Sequence, residues 1–453
     1  MMETKEYFLK AIKNKLTTEV NIAPLVVFRV FFGVMMFFST ARFINNGWVE
    51  QQYIKPSFFF SYYGFEWIKP VGEQVIYLIF GLLVLSSISI ALGLFYRVAT
   101  IVFFLCFTYV ELIDKTNYLN HYYFISLVAL MLCFLPAHRS FSLDTKFGFT
   151  AGLKKLPLYT IFILQLQLAI VYFFAGIAKI NTDWLLEAMP LKIWLPTKSE
   201  LPIVGALLMK PWIAFVFSWC GMLFDVFIAF LLFNKRTVYF AYATVVIFHL
   251  CTAILFPGIG MFPFVMIVGA TIFLPSKFHH KLLEIFSPKK LPMYNYFPSK
   301  KFSFSPPVIG FFVLFFSIQL LLPFRYALYP KHLFETEQGY RFSWRVMLME
   351  KAGTCFFYVK DKNMNRLEEV DNRAFLTTQQ EKQMSTQPDM ILQFAQHLKK
   401  VYQKRWQSDE VEVRVESYVS INGKGSKLYI DPTVDLGKMK DGFNHKNWIL
   451  ATR

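Results

Sequence analysis

The sequence is poor in charged residues, which occupy 17% of its 453 positions, and Asp and Glu (30) are far fewer than Lys and Arg (47). A typical soluble chain is about 25% charged. A single soluble core stops growing at about 250–300 residues, so one core cannot hide the apolar majority of this chain. Disorder is excluded too, since disordered chains are poor in apolar residues.

Cysteine is also scarce. The chain has five, and no two of them form a CxxC pair: Cys106, Cys133, Cys220, Cys251 and Cys355. This spacing supports neither a disulfide framework nor a zinc site, and we expect no bound metal. Four of the five lie in apolar stretches, so we expect buried thiols that act as small hydrophobic side chains.

Apolar residues are abundant instead, at 55% of the chain, with 53 Phe among them. A membrane helix needs about 20 mostly apolar residues. The sequence therefore predicts a multi-pass α-helical membrane protein with about nine spans. The first is too long for the apolar part of a cleaved signal peptide. The predicted spans are 23–43, 74–94, 97–113, 121–136, 157–178, 212–233, 237–256, 260–275 and 305–322.

The net charge of +17 is explained by orientation. Alternate connections that begin with the N-terminus hold 17 Lys and Arg, and the opposite set holds 7. Because cytoplasmic loops carry the basic excess, the N-terminus is predicted to be cytoplasmic. Helix-turn-helix and zinc-finger patterns are absent, as is a long basic tail, so we expect no nucleic-acid partner.

The composition changes at residue 324, where apolar runs shorten and polar residues appear throughout. Residues 355–359 and 411–421 alternate like half-buried strands, and 378–402 has the spacing of an amphipathic helix. With nine spans, this α+β domain lies on the non-cytoplasmic side. The predicted domains are a cytoplasmic N-terminus (1–22), a transmembrane helical domain (23–323) and a periplasmic or lumenal α+β domain (324–453).

Ionisable residues within spans are costly and therefore indicate function. His121, Lys179 and His249 all lie towards the non-cytoplasmic side. Each has a simpler interpretation: Lys179 could extend to the interface, His249 could be a packing residue, and His121 could cap a helix at the interface. Arg29 and Asp225 lie nearer the cytoplasmic half, and we expect them to be structural charges that need an opposite charge.

A buried lysine can exist as the neutral amine, because desolvation disfavours its charged form. Such an amine takes a proton from a weak acid, and nearby His or Asn side chains stabilise the resulting oxyanion. At membrane depth the weak acid is a lipid-soluble one such as a quinol. A transporter could use the same residues as a proton relay, so this alternative remains open.

Five segments, in order along nearly the whole chain, resemble signatures of the vitamin K-dependent γ-glutamyl carboxylase family. They are Asp114-Lys115-Thr116 followed by Asn120-His121; Phe174-Ala175-Gly176-Ile177-Ala178-Lys179 followed by Asp183-Trp184; Phe248-His249-Leu250-Cys251; Tyr340-Arg341-Phe342-Ser343-Trp344 with Met347; and Tyr418-Val419-Ser420-Ile421-Asn422 with Asp431-Pro432. One such segment is a weak signal, whereas five in order are specific.

The resemblance implies a membrane enzyme that oxidises vitamin K hydroquinone, or a menaquinol, with O2 to the epoxide. This oxidation drives the addition of CO2 to a protein glutamate, which becomes γ-carboxyglutamate. Lys179 is implied as the initiating base, with Asn120, His121 and His249 beside the reacting groups. Substrate binding is implied for three further residues: Trp344, Met347 and Lys351.

The implied partners are a glutamate-containing protein or peptide, the lipid bilayer and its quinol. Departures from the family pattern fall on substrate handling: Met349, Glu350 and Lys351 replace a His-Ser-Arg-like stretch. A quinol epoxidase without carboxylase activity is therefore an alternative, and a non-enzymatic transporter or receptor is another. We expect a bacterial inner membrane, because neither a transit peptide nor the family's long lumenal tail is present.

Overall fold

The computed structural model describes residues 2–286 and 302–450. Part of the predicted cytoplasmic connection 276–304 therefore lies outside the described residues. The helices are α1 Met2–Leu16, α2 Ala23–Asn45, α3 Glu73–Leu92, α4 Tyr96–Ile113, α5 Asn120–Phe134, α6 Leu143–Lys146, α7 Tyr159–Ala178, α8 Thr182–Leu185, α9 Leu191–Trp194, α10 Gly205–Leu208, α11 Pro211–Phe233, α12 Val238–Leu255, α13 Phe262–Ala270, α14 Ser276–Phe286, α15 Pro306–Leu321, α16 Leu333–Thr336, α17 Thr378–Met384 and α18 Pro388–Trp406. The strands are β1 Glu19–Asn21, β2 Lys155–Pro157, β3 Lys351–Asp361, β4 Arg366–Glu369, β5 Val411–Ile421 and β6 Ser426–Leu428.

The predicted multi-pass membrane architecture is confirmed. Within the described residues, seven helices are long and apolar enough to cross a membrane, or eight if a bent pair is counted as one span. The seven are α2, α3, α4, α7, α11, α12 and α15, the last extended by a 3₁₀ turn to Leu328. This number is close to the prediction of about nine spans and differs from it by one or two.

Two predicted spans account for this difference. At 121–136 the structure has only α5, whose 15 residues end just before Pro136 and are short for a bilayer. At 260–275 it has α13 and a 3₁₀ turn, after which the chain bends by 116° into α14. Pro275 lies at this bend, where it has no backbone N–H to continue the helix.

Arg29 is fully buried in α2, and no carboxylate pairs with it in the described structure. Its guanidinium donates to the carbonyl oxygens of Ala137, Ala91 and Phe141, at 3.1, 3.3 and 2.6 Å. Gly93 ends α3 at φ +64°, and a Cβ there would lie 2.5 Å from Arg29 Nη1. Arg29 is thus structural, as expected, but it holds backbone carbonyls rather than an opposite charge.

The C-terminal region is the predicted α+β domain, with an antiparallel sheet in the order β4-β3-β5-β6. Phe357 in β3 pairs with Val415 in β5, and both are buried beneath α18. The predicted single helix over 378–402 is two helices. Pro388 starts α18, and the preceding Gln387 is extended (φ −123°, ψ 110°), as a residue before proline prefers.

Polar contacts join this domain to the membrane part. Asp389, near the start of α18, accepts from Lys115 Nζ at 2.9 Å and from Arg341 Nη1 at 2.7 Å. Burial opposes ionisation of Asp389, but the two cations hold its pKa well below the usual range. Asn422 Nδ2 donates to Asp183 Oδ2 at 2.6 Å. The two parts are therefore packed as one body around the outer ends of the spans.

Candidate active site

Lys179 follows α7 directly, and its side chain turns back along the helix. Its Nζ donates to the carbonyl oxygen of Ala175, one turn earlier, at 3.2 Å, and the residue is 6% exposed. A lysine that reaches for water extends away from the helix towards the interface. This conformation places the Lys179 amine inside the protein instead.

Asp225 of α11 is the partner of Lys179. The distance from Lys179 Nζ to Asp225 Oδ2 is 2.7 Å, and both side chains are buried. Gly176 makes this approach possible, because a Cβ there would lie 2.6 Å from the backbone nitrogen of Val226. Asp225 thus has the opposite charge that a buried carboxylate was expected to need, and the tight crossing of α7 and α11 makes Lys179 its partner.

The ion pair lines a cavity of about 470 Å³ between α7, α11 and α12. His249 and Met347 line the same cavity, whose walls are otherwise almost entirely aromatic and aliphatic. A cavity of this size and character, with a few convergent polar groups, is typical of a small-molecule site. The structure thus brings three predicted site residues, Lys179, His249 and Met347, to one cavity.

His249 has a defined hydrogen-bond partner on one side of its ring. Its Nε2 lies 3.0 Å from the Tyr172 hydroxyl, and its Nδ1 is buried with no partner among the described residues. Tyr172 also lines the cavity. The pair gives an otherwise apolar wall a hydroxyl and an imidazole, both able to donate or accept a hydrogen bond.

The cavity opens towards the lipid-facing surfaces of α11 and α12. Val216 and Ile247 line it and are 44% and 64% exposed. Cys220 and Cys251 line it and are exposed as well, and of the five cysteines only Cys355 is buried. The expectation of buried thiols is wrong for Cys220 and Cys251. They lie on a surface that faces lipid, where a weakly polar thiol is tolerated. Ligands can enter from the bilayer.

Residues 340–347 form an irregular segment, the 340–347 strip, which brings the C-terminal region to the cavity. Three of its non-glycine residues, Phe342, Trp344 and Met347, have positive φ angles of 59°, 57° and 53°. Such conformations cost about 1–3 kcal/mol each and persist where surrounding contacts enforce them. The strip is consequently a fixed wall at whose end Met347 faces the cavity.

Asn120, His121 and Trp344 lie beside the cavity and do not line it. Asn120 Nδ2 donates to the carbonyl oxygen of Arg345 at 2.8 Å, and its Oδ1 accepts from the Tyr118 hydroxyl at 3.1 Å. Trp344 is fully buried and stacks on Tyr123 with ring centroids 4.9 Å apart. In this arrangement Asn120 and Trp344 hold the strip in place.

His121 is separated from His249 by a single aromatic ring. The Phe262 centroid lies 6.1 Å from that of His121 and 5.6 Å from that of His249. His121 is 5% exposed. Phe262 thus contacts both imidazoles, and of the two only His249 lines the cavity.

Lys351 lies apart from the cavity, at the start of β3. Its Nζ donates to Glu337 Oε1 at 2.7 Å and to the Tyr429 hydroxyl at 3.3 Å, and both charged side chains are buried. Burial lowers the pKa of Lys351, and the neighbouring Glu337 carboxylate opposes that shift. Lys351 is therefore neither a solvated loop charge nor a free cation facing the cavity.

Sequence reasoning missed Asp225 as a site residue, and it missed Tyr172. An acidic residue within a span was a usable signal for Asp225, but its distance to Lys179 depends on where two helices cross. A tyrosine in an aromatic-rich helix gives no signal of its own. No group of three or more His, Cys, Asp or Glu that could hold a metal ion occurs in the described part of the chain.

The fold and the site together define a multi-pass membrane protein with a lipid-accessible cavity and a docked C-terminal α+β domain. A family model described as the HTTM domain matches residues 17–278, and one described as the vitamin K-dependent gamma-carboxylase lumenal domain matches residues 305–453. The chain belongs to the vitamin K-dependent gamma-carboxylase family, and its C-terminal domain is non-cytoplasmic. No solved structure matches this one.

Proposed function

We propose that this protein is a vitamin K-dependent γ-glutamyl carboxylase-like enzyme that oxidises a lipid quinol with O2 and couples this oxidation to carboxylation of protein glutamate. The observation that supports it most is the Lys179–Asp225 ion pair, at 2.7 Å, in the wall of an apolar cavity open to lipid. Membership of the family supports this class of substrate.

The cavity residues fit vitamin K hydroquinone or a menaquinol. Phe224, Phe248 and Phe262 provide flat apolar contacts for a naphthoquinol ring, and the opening between α11 and α12 leaves room for an isoprenoid tail in the bilayer. Lys179 and His249 provide hydrogen-bond partners for its hydroxyl groups. When bound, the hydroquinone supplies, with O2, the driving force and the basicity that carboxylation needs.

The role of Lys179 and Asp225 is to take a proton from a quinol hydroxyl. The pair is neutral overall, because one ammonium faces one carboxylate. After accepting a proton it carries a charge of +1, which faces the negative charge left on the substrate. In the low dielectric of this cavity that attraction is strong, since little water screens it. We therefore assign base function to the pair rather than to a lone neutral amine.

His249 is proposed to orient the reacting ring. The Tyr172 hydroxyl is hydrogen-bonded to Nε2 of the imidazole. This leaves Nδ1 as the ring nitrogen able to bond a substrate oxygen. Asn120 and Trp344 are proposed as positioning residues that hold the 340–347 strip. His121 is proposed to act indirectly, through Phe262, whose ring contacts both His121 and His249. Met347 is proposed to contact the glutamate substrate where it meets the quinol.

A second candidate is quinol epoxidation without carboxylation. Lys351 is the residue implied to bind the substrate carboxylate. It favours the second candidate because it forms an ion pair with Glu337 and a hydrogen bond with Tyr429. In this arrangement Lys351 presents no free charge to the cavity. The two functions share the quinol half of the reaction and differ only in the fate of the glutamate.

One assay separates these proposals. The full-length protein is reconstituted in lipid vesicles with reduced phylloquinone or menaquinol, O2, labelled hydrogencarbonate and a glutamate peptide. Epoxide and γ-carboxyglutamate are both expected, and a Lys179→Met variant is expected to give neither. Epoxide alone establishes the second candidate. If neither product forms with either quinol, while a carboxylase control forms both, the proposed function is wrong. We also propose that the enzyme lies in a bacterial inner membrane. A preference for menaquinol over reduced phylloquinone in this assay would support that location.

A further inference from the structure

A second cavity, of about 230 Å³, lies on the other side of the α7 end from the Lys179 cavity. It is lined by Asn181, which follows Lys179 closely, and by Ser343 and Arg345 of the 340–347 strip. The strip therefore separates two cavities: Met347 faces one and Arg345 faces the other.

Arg345 is the charged group of this second cavity. It is 9% exposed, and in the described structure no carboxylate forms an ion pair with it. Its Nε is buried without a hydrogen-bond partner there, and its guanidinium lies 4.4 Å from the centre of the Tyr326 ring. Burial lowers the pKa of Arg345, and only the nearby tyrosines oppose this shift. A buried charge without an opposite charge is costly, which indicates a missing anionic partner.

The mouth of this cavity is apolar and lies at the membrane. Ile177 and Ile180, at the end of α7, are 37% and 54% exposed, and Phe324, just after α15, is 52% exposed. All three line the cavity. Both helices are membrane spans that end on the side of the C-terminal domain. A ligand at Arg345 therefore passes exposed apolar side chains before it reaches the guanidinium.

We infer that this cavity binds the anionic headgroup of a membrane lipid, whose phosphate pairs with Arg345 and whose chains cover Ile177, Ile180 and Phe324. The guanidinium presents a planar fork of donors that matches phosphate and carboxylate oxygens. A small anion from water satisfies the charge but leaves the apolar mouth exposed, whereas an anionic lipid satisfies both. A bound lipid would stabilise the 340–347 strip, which carries both Arg345 and Met347. This inference does not depend on the proposed reaction.

The test is native mass spectrometry of the full-length protein, released from detergent that contains phosphatidylglycerol, phosphatidylcholine or oleate at equal concentration. The wild type is expected to retain phosphatidylglycerol over phosphatidylcholine. Arg345→Gln is expected to reduce that retention about tenfold or more, since it removes a charge-assisted contact. Arg345→Lys keeps the charge and is expected to recover part of it. Lys210→Gln is the matched control, because Lys210 is exposed at the same membrane face, at the start of α11.

Each outcome decides the inference. Oleate bound as tightly as phosphatidylglycerol and lost with Arg345→Gln supports an anionic amphiphile at Arg345 and shows that a carboxylate head serves as well as a phosphate. Equal retention of phosphatidylcholine, or unchanged retention in Arg345→Gln, overturns the inference. The same holds if Lys210→Gln lowers retention as much as Arg345→Gln does. Thermal melting of each variant shows that it is folded, and the quinol assay need not succeed for this result to stand.

Discussion

Lys179 Nζ and Asp225 Oδ2 lie 2.7 Å apart, buried between two membrane helices. A buried ion pair contributes little net stability, because desolvation of both charges offsets their attraction, and the loss of one partner is more harmful than the loss of both. The Lys179–Asp225 pair is therefore expected to add little net stability, and the role that we propose for it is in proton transfer. The stability of a single variant can therefore be compared with that of the double variant to test the pair.

Asp225→Leu leaves the Lys179 ammonium buried alone, and we expect it to lower the free energy of unfolding by about 3–5 kcal/mol. The double variant Lys179→Met, Asp225→Leu should recover most of that loss. Epoxide formation should fall by roughly 10²–10⁴-fold in both, since the proton acceptor is gone. Unfolding in SDS and the epoxide assay measure the two effects. A stable double variant with full activity would show that the pair is structural.

Gly176→Ala is expected to force α7 and α11 apart, because the new Cβ would lie 2.6 Å from the backbone nitrogen of Val226. Overpacking of this kind costs about 1–3 kcal/mol. The separation should also lengthen the Lys179–Asp225 contact and lower epoxide yield. Gly81→Ala in α3 is the control, since nothing lies within 4 Å of that Cβ. Equal effects of the two substitutions would contradict the close-crossing explanation.

Met347→Ala should lower carboxylation more than epoxide formation, because Met347 enters the cavity from the strip that joins the C-terminal domain. Met349→Ala removes a similar side chain two residues later, packed in the C-terminal core and not in the cavity. The ratio of γ-carboxyglutamate to epoxide measures the difference. An unchanged ratio in Met347→Ala would place the glutamate elsewhere.

Asp389→Asn should destabilise the junction between the membrane part and the C-terminal domain by roughly 3 kcal/mol near pH 7, because Lys115 and Arg341 lose their shared carboxylate. The folded pKa of Asp389 lies well below the unfolded value of about 3.9. The contribution of Asp389 is therefore complete above that value and is lost as the pH falls through the folded pKa. Melting curves of wild type and variant should differ at pH 7 and converge in strong acid. A constant difference down to that range would contradict the ion-pair explanation.

Most of the membrane architecture followed from the sequence, because hydropathy reports burial in lipid directly. Lys179 and His249 were selected from the sequence because an ionisable residue in a span is costly wherever it occurs, and the structure places both at one cavity. The pairing of Asp225 with Lys179 did not follow from the sequence, since their distance depends on a helix crossing that Gly176 sets through shape rather than polarity. The Glu337 partner of Lys351 was likewise hidden, because it lies in an irregular loop whose path only the folded structure shows.

The opening of the Lys179 cavity between α11 and α12 has a kinetic consequence. A substrate that enters from the bilayer is sampled in two dimensions. The proposed reaction should therefore respond to the mole fraction of quinol among lipids and not to its amount per volume of buffer. Added inert lipid should therefore slow the reaction at constant total quinol. Under the proposed function, the composition of the surrounding membrane becomes a variable of catalysis, on the same footing as temperature or pH.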